Sequence, residues 1–311
     1  MNVRECAQLL LAQDDILIVT HRRPDGDTIG CAAGLCRGLR LLGKRAFVYP
    51  NEQVTETYLP FIQGYFADAD FRAKYTVAVD VADSNMFAVG FDGHIDLAID
   101  HHPANTHYAS ETLVMGEKAA CGEIVLLVLE EMGCRPDGEI ASALYMAIST
   151  DTGCFAYSNT TAEAHAASAA LISAGADVTG LNKLLFRTAT AARLQLEGMV
   201  YTSLRRFHNG EINIAVITLD MMEKAGTTED DCDDLASLPG KIKGNKISAT
   251  IRELKENFCK VSVRTGTEID ASAVCAKFGG GGHKMAAGCE LNATPEETVE
   301  KIVQAIYEVW K

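Results

Sequence analysis

The sequence predicts an α/β protein: a parallel sheet with helices on both faces, followed by a smaller α+β domain. Three observations carry this expectation. The first half alternates short, near-continuous apolar runs with helical patterns, as strands buried on both faces do. From residue 211 the pattern changes to paired strand-like runs with fewer helices between them. Finally, aspartates and histidines gather where the first-half apolar runs end, and open parallel sheets bind ligands beyond the carboxyl ends of their strands.

The elements follow in order. Strands are expected at 16–20 "ILIVT", 45–50 "RAFVYP", 76–81 "TVAVDV" and 95–100 "IDLAID". Between the first two, Ile29, Ala33, Cys36, Leu39 and Leu42 repeat near helical spacing over 28–43, and Gly43 stops the run. Helices are expected at 119–133, 138–150 and 162–174, with a longer one near 190–207. In the second half "INIAVITL", "KISATIRE" and "FCKVSVRT" predict strands, the last two joined through "LKEN" as a hairpin. Helical patterns at 270–278 and 295–310 complete the chain. Residues 1–188 form the expected first domain, 189–210 a connecting helix or linker, and 211–311 the second domain.

Composition narrows the function. With 311 residues, 48% of them apolar and 23% charged, the chain can bury two ordinary cores. No apolar run nears the roughly 18 residues of a membrane span, and the N-terminus lacks a signal-peptide pattern, so the cytoplasm is the expected compartment. The ten cysteines are scattered without a C-x-x-C pair, which points to buried apolar thiols rather than disulfides or a sulfur-ligated metal. A net charge of −14 opposes long duplex nucleic acid as a partner. That charge is uneven: residues 1–188 carry 13 Lys+Arg against 24 Asp+Glu, and 189–311 carry 15 against 18. Within the second part, 241–264 is locally basic. Acidic residues in one half and a basic stretch in the other suggest metal binding and anion binding; a solvated charged surface is the alternative.

"HRRPDGDTIG" at 21–30 leaves the first strand with His21, Asp25 and Asp27. Asp80 closes the "TVAVD" run, Asp100, His101 and His102 close "LAID", and Asp151 follows a helical run in "ISTDTG". A lone aspartate at a strand end is a turn or cap residue. Several recurring with histidines are poorly explained by separate turns. If clustered, Asp25, Asp27, Asp80 and Asp151 would repel strongly without cations, and two divalent ions would neutralise them. Mixed imidazole and carboxylate ligands favour manganese, iron or zinc over calcium, and a pair of such ions suits phosphoryl chemistry.

These segments, with "VAVD" and "DHHPAN", resemble the four signature regions of the DHH phosphoesterases, and "FGGGGHKMAAG" at 278–288 resembles the glycine-rich signature of their DHHA1 domain. Spread from 21 to 288, the resemblance covers nearly the whole chain and is nearest to the nanoRNase and pAp-phosphatase branch. It implies a DHH domain and a DHHA1 domain with the active site in the cleft between them. It implies His21 and Asp25 on one manganese ion, Asp27, His101 and Asp151 on the other, and Asp80 bridging both. His102 would contact the scissile phosphate, with general-acid work open to it, and Asp100 would orient a histidine ring. Asn105 would support the phosphate, and Arg264, Gly280, Gly281, Gly282 and His283 would hold the nucleotide. Thr28, where alanine is common, and Thr265, where serine is usual, depart from the family pattern. By composition "GGGGHK" reads as a linker, but its place between "ASAVCAKF" and "MAAGCEL" favours a structured loop. It matches neither the Walker A nor the dinucleotide pattern.

The expected function is therefore two-manganese hydrolysis of short oligoribonucleotides and of adenosine 3′,5′-bisphosphate (pAp). Hydrolysis of linear pApA or cyclic di-AMP is the near alternative. A non-catalytic nucleotide sensor is the alternative of another class, opposed by the intact ligand set. Short RNA, pAp and dinucleotides are the expected partners, no membrane is expected, and a homodimer is left open.

Overall fold

The computed structural model describes residues 1–228, 230–232, 235–266 and 268–310. The chain divides into two compact units, Met1–Thr188 and a second beginning at Ala189. In the first, α1 (Val3–Ala12) leads into β1 (Ile16–Val19), α2 (Gly26–Leu41), β2 (Ala46–Val48) and the single turn α3 (Leu59–Ile62). Strands β3 (Tyr75–Val79), β4 (Leu97–Asp100) and β5 (Glu111–Val114) follow, then helices α4 (Cys121–Glu131), α5 (Gly138–Asp151), α6 (Ala162–Ser173) and α7 (Val178–Phe186). The four expected strands are present, each within a few residues of its predicted bounds. β5 is an addition. Its "ETLV" has one buried side chain, Leu113, because it lies at the sheet edge, so it carries little apolar signal.

All five strands pair in parallel in the order β2-β1-β3-β4-β5. From β1 the chain steps to β2 on one side, and then returns to β3 on the other. The carboxyl ends of β1 and β3 therefore flank the point where the winding reverses, which is where such sheets bind ligands.

The packing of α2 decides what stands there. Asp25 caps this helix, accepting from the Asp27 and Thr28 N–H groups at 3.1 and 3.2 Å. Gly26, Gly30, Gly34 and Gly38 recur every fourth residue and so form one stripe along the helix. A methyl group on Gly30 would lie 2.2 Å from the Ala143 carbonyl oxygen and 2.9 Å from the Ala147 side chain, both on α5. Without side chains on that stripe, α5 approaches α2 almost backbone to backbone. The N-terminal end of α2 then faces Thr150, one residue before Asp151.

The second unit holds α8 (Ala191–Thr202), β6 (Arg205–Phe207), β7 (Ile212–Ile217), α9 (Leu219–Ala225), β8 (Ile247–Lys255) and β9 (Phe258–Thr265). It ends with α10 (Ala271–Ala276), β10 (Gly281–Gly282), β11 (Ala286–Leu291) and α11 (Pro295–Val309). Its six strands form a mixed sheet, β10-β11-β9-β8-β7-β6, in which only the β7–β8 pair is parallel. Ile251, Val261 and Val263 bury one sheet face with Val274, Ile302 and Ile306. On the other, Ala215 and Ile217 pack with Leu196 and Val200 of α8. Within 189–210 the helix expected there is α8, and its Leu196 and Val200 belong to this unit's core.

Two further expectations change. The helix expected to run to residue 207 ends at Thr202, because Arg205–Phe207 pairs with β7 and the Ser203 hydroxyl donates to the Val216 carbonyl at 2.9 Å. The hairpin turn is shorter than "LKEN": Lys255 pairs with Phe258, and Asn257 turns the chain with φ of 58°. None of the described helices is long and apolar enough to cross a membrane. All ten cysteines are free, and all but Cys154 are buried.

The glycine stripe gives a direct test. Gly30→Ala should destabilise the protein by about 2–3 kcal/mol in urea unfolding, because its neighbour is backbone that cannot step aside. Gly198→Ala, in the exposed middle of α8 with open space around it, should stabilise by up to about 1 kcal/mol.

Candidate metal centre

Each side chain of the expected ligand set is held by a local device. His21 sits just past β1, and its Nδ1 lies 2.8 Å from the Arg22 carbonyl, which accepts the Nδ1 proton and leaves Nε2 facing inward. His101 is oriented the same way by the Lys118 carbonyl at 3.2 Å. Asp80 follows β3 with φ of 59°, a left-handed conformation that aspartate tolerates better than most residues. Asp151 ends α5, and its own carbonyl accepts from the Asn159 side-chain amide at 3.1 Å.

These devices bring the six residues together in two groups. His21 Nε2 lies 3.5 Å from Asp25 Oδ1 and 3.7 Å from Asp80 Oδ2. His101 Nε2 lies 3.8 Å from Asp27 Oδ2, 3.5 Å from Asp151 Oδ2 and 3.5 Å from Asp80 Oδ1. His21, Asp25 and Asp80 form one set of converging donors, and Asp27, His101 and Asp151 another. Asp80 turns one oxygen to each.

The electrostatics show what the donor set favours. Burial raises the Asp27 carboxyl well above its ordinary range, with the Asp151 and Asp25 charges adding to the effect. Burial raises Asp80 in the same way, reinforced by Asp27. Asp27 finds hydrogen bonds: the Cys121 and Gly122 N–H groups at the start of α4, at 2.7 and 2.9 Å, and the Cys31 thiol at 3.2 Å. Asp80 Oδ1 has no hydrogen-bond partner although it is buried. An orphaned carboxylate oxygen facing an imidazole nitrogen 3.5 Å away fits a bound cation, because that spacing is too long for a good hydrogen bond. Carboxylate oxygens and neutral imidazole nitrogens are a donor set for divalent first-row metals.

Asp100 and His102 form a separate device. Asp100 is fully buried and accepts from the His102 Nδ1–H at 2.7 Å and from the Asn105 amide at 2.6 Å. Burial opposes its charge, but bonds from His102 and Asn105 outweigh this and hold its carboxyl low. The Asp100 hydrogen bond raises the His102 imidazole against the effect of burial. Asn105, expected against the phosphate, is buried, and its oxygen accepts from the His107 N–H at 2.7 Å. Both ends of its amide serve the loop around Asp100.

In the second unit, β11 places Ala286 opposite Arg264, and His283 and Ala286 exchange backbone hydrogen bonds at 2.8 and 3.2 Å. Arg264 and His283 thus lie at the same end of the sheet, both exposed. "GGGGHK" is structured, as expected. Gly280 and Gly282 lie against the Gly288 and Ala286 carbonyls, where a methyl group would come within 2.2 and 2.6 Å, while Gly281 faces open space. The Thr265 hydroxyl is committed to backbone carbonyls of its own unit.

Three supporting residues had no legible signal. Asn51 donates to the His21 carbonyl at 3.0 Å, Asn159 joins the Asp151 and Ala119 carbonyls, and Cys31 backs Asp27. An asparagine 30 residues from the histidine whose carbonyl it holds leaves no pattern in the sequence.

Residues 15–148 match the family model described as "DHH family, N-terminal domain", and 210–311 match "DHHA1 domain". A bifunctional oligoribonuclease and PAP phosphatase of Thermus thermophilus is 32% identical, over 99% of this chain and 94% of its own. The chain belongs to the DHH family. A probable bifunctional oligoribonuclease and PAP phosphatase of Streptococcus mutans is 25% identical over 96% of both chains. An exopolyphosphatase-related protein from Bacteroides fragilis shares the fold of this DHH-family chain, with a TM-score of 0.86, 23% identity, and coverage of 98% of this chain and 96% of its own.

The raised carboxyls predict an unusual pH response. Asp27 and Asp80 bind protons more readily when folded than when unfolded. Their contribution to stability is therefore present below the ordinary carboxylate range and lost as pH rises through their folded values. Metal-free protein should gain stability from these two groups on mild acidification, with Asp25 and Asp100, which are lowered, opposing. Asp80→Asn keeps the shape and removes the charge. In EDTA at neutral pH it should melt higher than the parent. It should also lose the increment that a divalent ion gives the parent, about 2.7 kcal/mol per ion at a hundredfold excess over Kd. Melts with EDTA and with manganese across pH 5–8 check both statements.

Proposed function

We propose that this chain is a manganese-dependent hydrolase of short oligoribonucleotides and of pAp. The observation that carries the reading is Asp80, whose two oxygens face separate donor sets while one of them lacks any hydrogen-bond partner. His21, Asp25 and Asp80 would hold one divalent ion, and Asp27, His101, Asp151 and Asp80 the second. When bound, such a pair neutralises the carboxylates and supplies Lewis acidity and activation of water at neutral pH.

The chain's own groups do the rest. Asp100 binds the Nδ1 proton of His102, so the imidazole presents Nε2 as its free edge and stays protonated to higher pH than an isolated histidine. A protonated Nε2 donates to the oxygen that leaves when the phosphoester bond breaks. Buried Asn105 keeps Asp100 in place for this task. In the second unit, the exposed Arg264 guanidinium and His283 side chain offer donors for the nucleotide end of the substrate. The 32% identity and near-complete coverage of the Thermus relative support the same pair of substrates. Ten unpaired thiols fit a reducing cytoplasm.

The decisive experiment is manganese-dependent release of phosphate from pAp and of mononucleotides from short RNA, with pApA and cyclic di-AMP run beside them. Faster turnover of the last two would move the assignment to a dinucleotide phosphodiesterase, and binding without turnover would make the chain a sensor. His102→Ala should keep its manganese and lose about 10²–10⁴-fold in kcat. His101→Ala should lose manganese affinity first. Arg264→Ala should raise KM for pAp while sparing a small ester such as bis-p-nitrophenyl phosphate.

A further inference from the structure

The motif that carries His21 and Asp25 also carries two arginines that the catalytic reading leaves unused. Arg22 and Arg23 are exposed, and neither guanidinium makes a hydrogen bond or ion pair with any described residue. Several other cations of this unit are matched: Arg37 with Asp137 and Glu139, Arg45 and Lys74 with Asp15, Lys118 with Glu123. Arg135, Lys183 and Arg187 make no ion pair with any described residue, but they lie outside the histidine–aspartate motif.

Their backbone, by contrast, is held tightly. The Arg22 N–H donates to the Met86 carbonyl at 2.6 Å, and its own carbonyl receives the His21 Nδ1 proton at 2.8 Å. The Arg23 N–H donates to the Gln53 side-chain oxygen at 3.3 Å. Arg23 has φ of 50° and precedes Pro24, where extended backbone is preferred. Glycine would adopt that conformation with less strain, so an arginine kept there needs a reason beyond folding.

Charge balance supplies one. Asp25, Asp27, Asp80 and Asp151 bring four negative charges, and two divalent ions cancel them. Asp100 is matched by His102 at 2.7 Å. The loaded centre is then close to neutral, and by itself offers little net attraction to a phosphate. A monoester dianion needs more compensation than a diester monoanion.

We propose that Arg22 and Arg23 form an anion clamp for the substrate phosphate and set how well a terminal, dianionic phosphate is accepted relative to an internal diester. This rests on the reading of the site as a phosphoesterase. Guanidinium groups suit the task, since each offers two parallel donors to phosphate oxygens and stays charged at all working pH values.

The test is calorimetric binding of AMP, a product that is not turned over, to the manganese-loaded full chain. R22Q/R23Q should bind AMP about ten- to hundredfold more weakly than the parent, with a shallower salt dependence and unchanged manganese content. R22K/R23K keeps the charge but loses the forked donors, and its affinity should fall between those of the parent and R22Q/R23Q. In kinetics, R22Q/R23Q should lose at least tenfold more kcat/KM on pAp than on the diester ApA. Equal AMP affinity in all three proteins overturns the proposal, as does a loss in R22Q/R23Q that only follows loss of metal. A parent protein that binds AMP through these arginines yet hydrolyses neither RNA nor pAp would instead sink the catalytic reading.

Discussion

Four carboxylates converge, two of them buried, and their mutual repulsion is the constraint around which the first unit is arranged. Asp27 and Asp80 are almost fully buried, so burial and neighbouring charge both work against ionisation. Asp27 is eased by the N-terminal N–H groups of α4 and by a thiol. Asp80 receives no such help at Oδ1 and stands in a left-handed backbone conformation besides. A site that satisfies one carboxylate and leaves the next exposed to its neighbours' charge is arranged for a cation, because only a cation converts that repulsion into attraction.

Holding these groups close requires elements that approach more nearly than side chains normally allow. The glycine stripe of α2 meets that requirement against α5 and brings the capping end of one helix to the last turn of the other. A second tie acts from below. The buried Thr28 hydroxyl donates to the Val79 carbonyl at 2.9 Å and joins the start of α2 to the end of β3. Asp25, Asp27 and Asp80 are thereby referred to one rigid corner. The Thr28 hydroxyl, fully buried, commits its one proton to this bond.

The second unit applies different physics. Its sheet buries both faces in the middle, while β9 alternates Cys259, Val261 and Val263 inward with Lys260, Ser262 and Arg264 outward. Close backbone approach at Gly280 and Gly282 shapes a short edge strand beside Arg264. In this strand Gly281 pairs with Gly288 and faces open space where a side chain would stand.

Most of the fold was legible because the buried strands of the first sheet are apolar runs and α2 has helical spacing with a clear cap and stop. The edge strand β5 and the early end of α8 were not. An edge strand need not be apolar, and the end of α8 is set by pairing with a strand further along the chain. The expected ligand residues were legible as a list, because aspartate and histidine at strand ends are conspicuous. What the sequence by itself determined was therefore which aspartates and histidines stand at the strand ends and which elements bear them. The tertiary structure decided which residues share a donor set, that Asp80 faces both, that Asn105 serves Asp100, and that Asn51, Asn159 and Cys31 hold the rest in place. The reason is physical: hydrogen bonds and repulsions act over a few ångströms in space, between residues tens of positions apart in the chain.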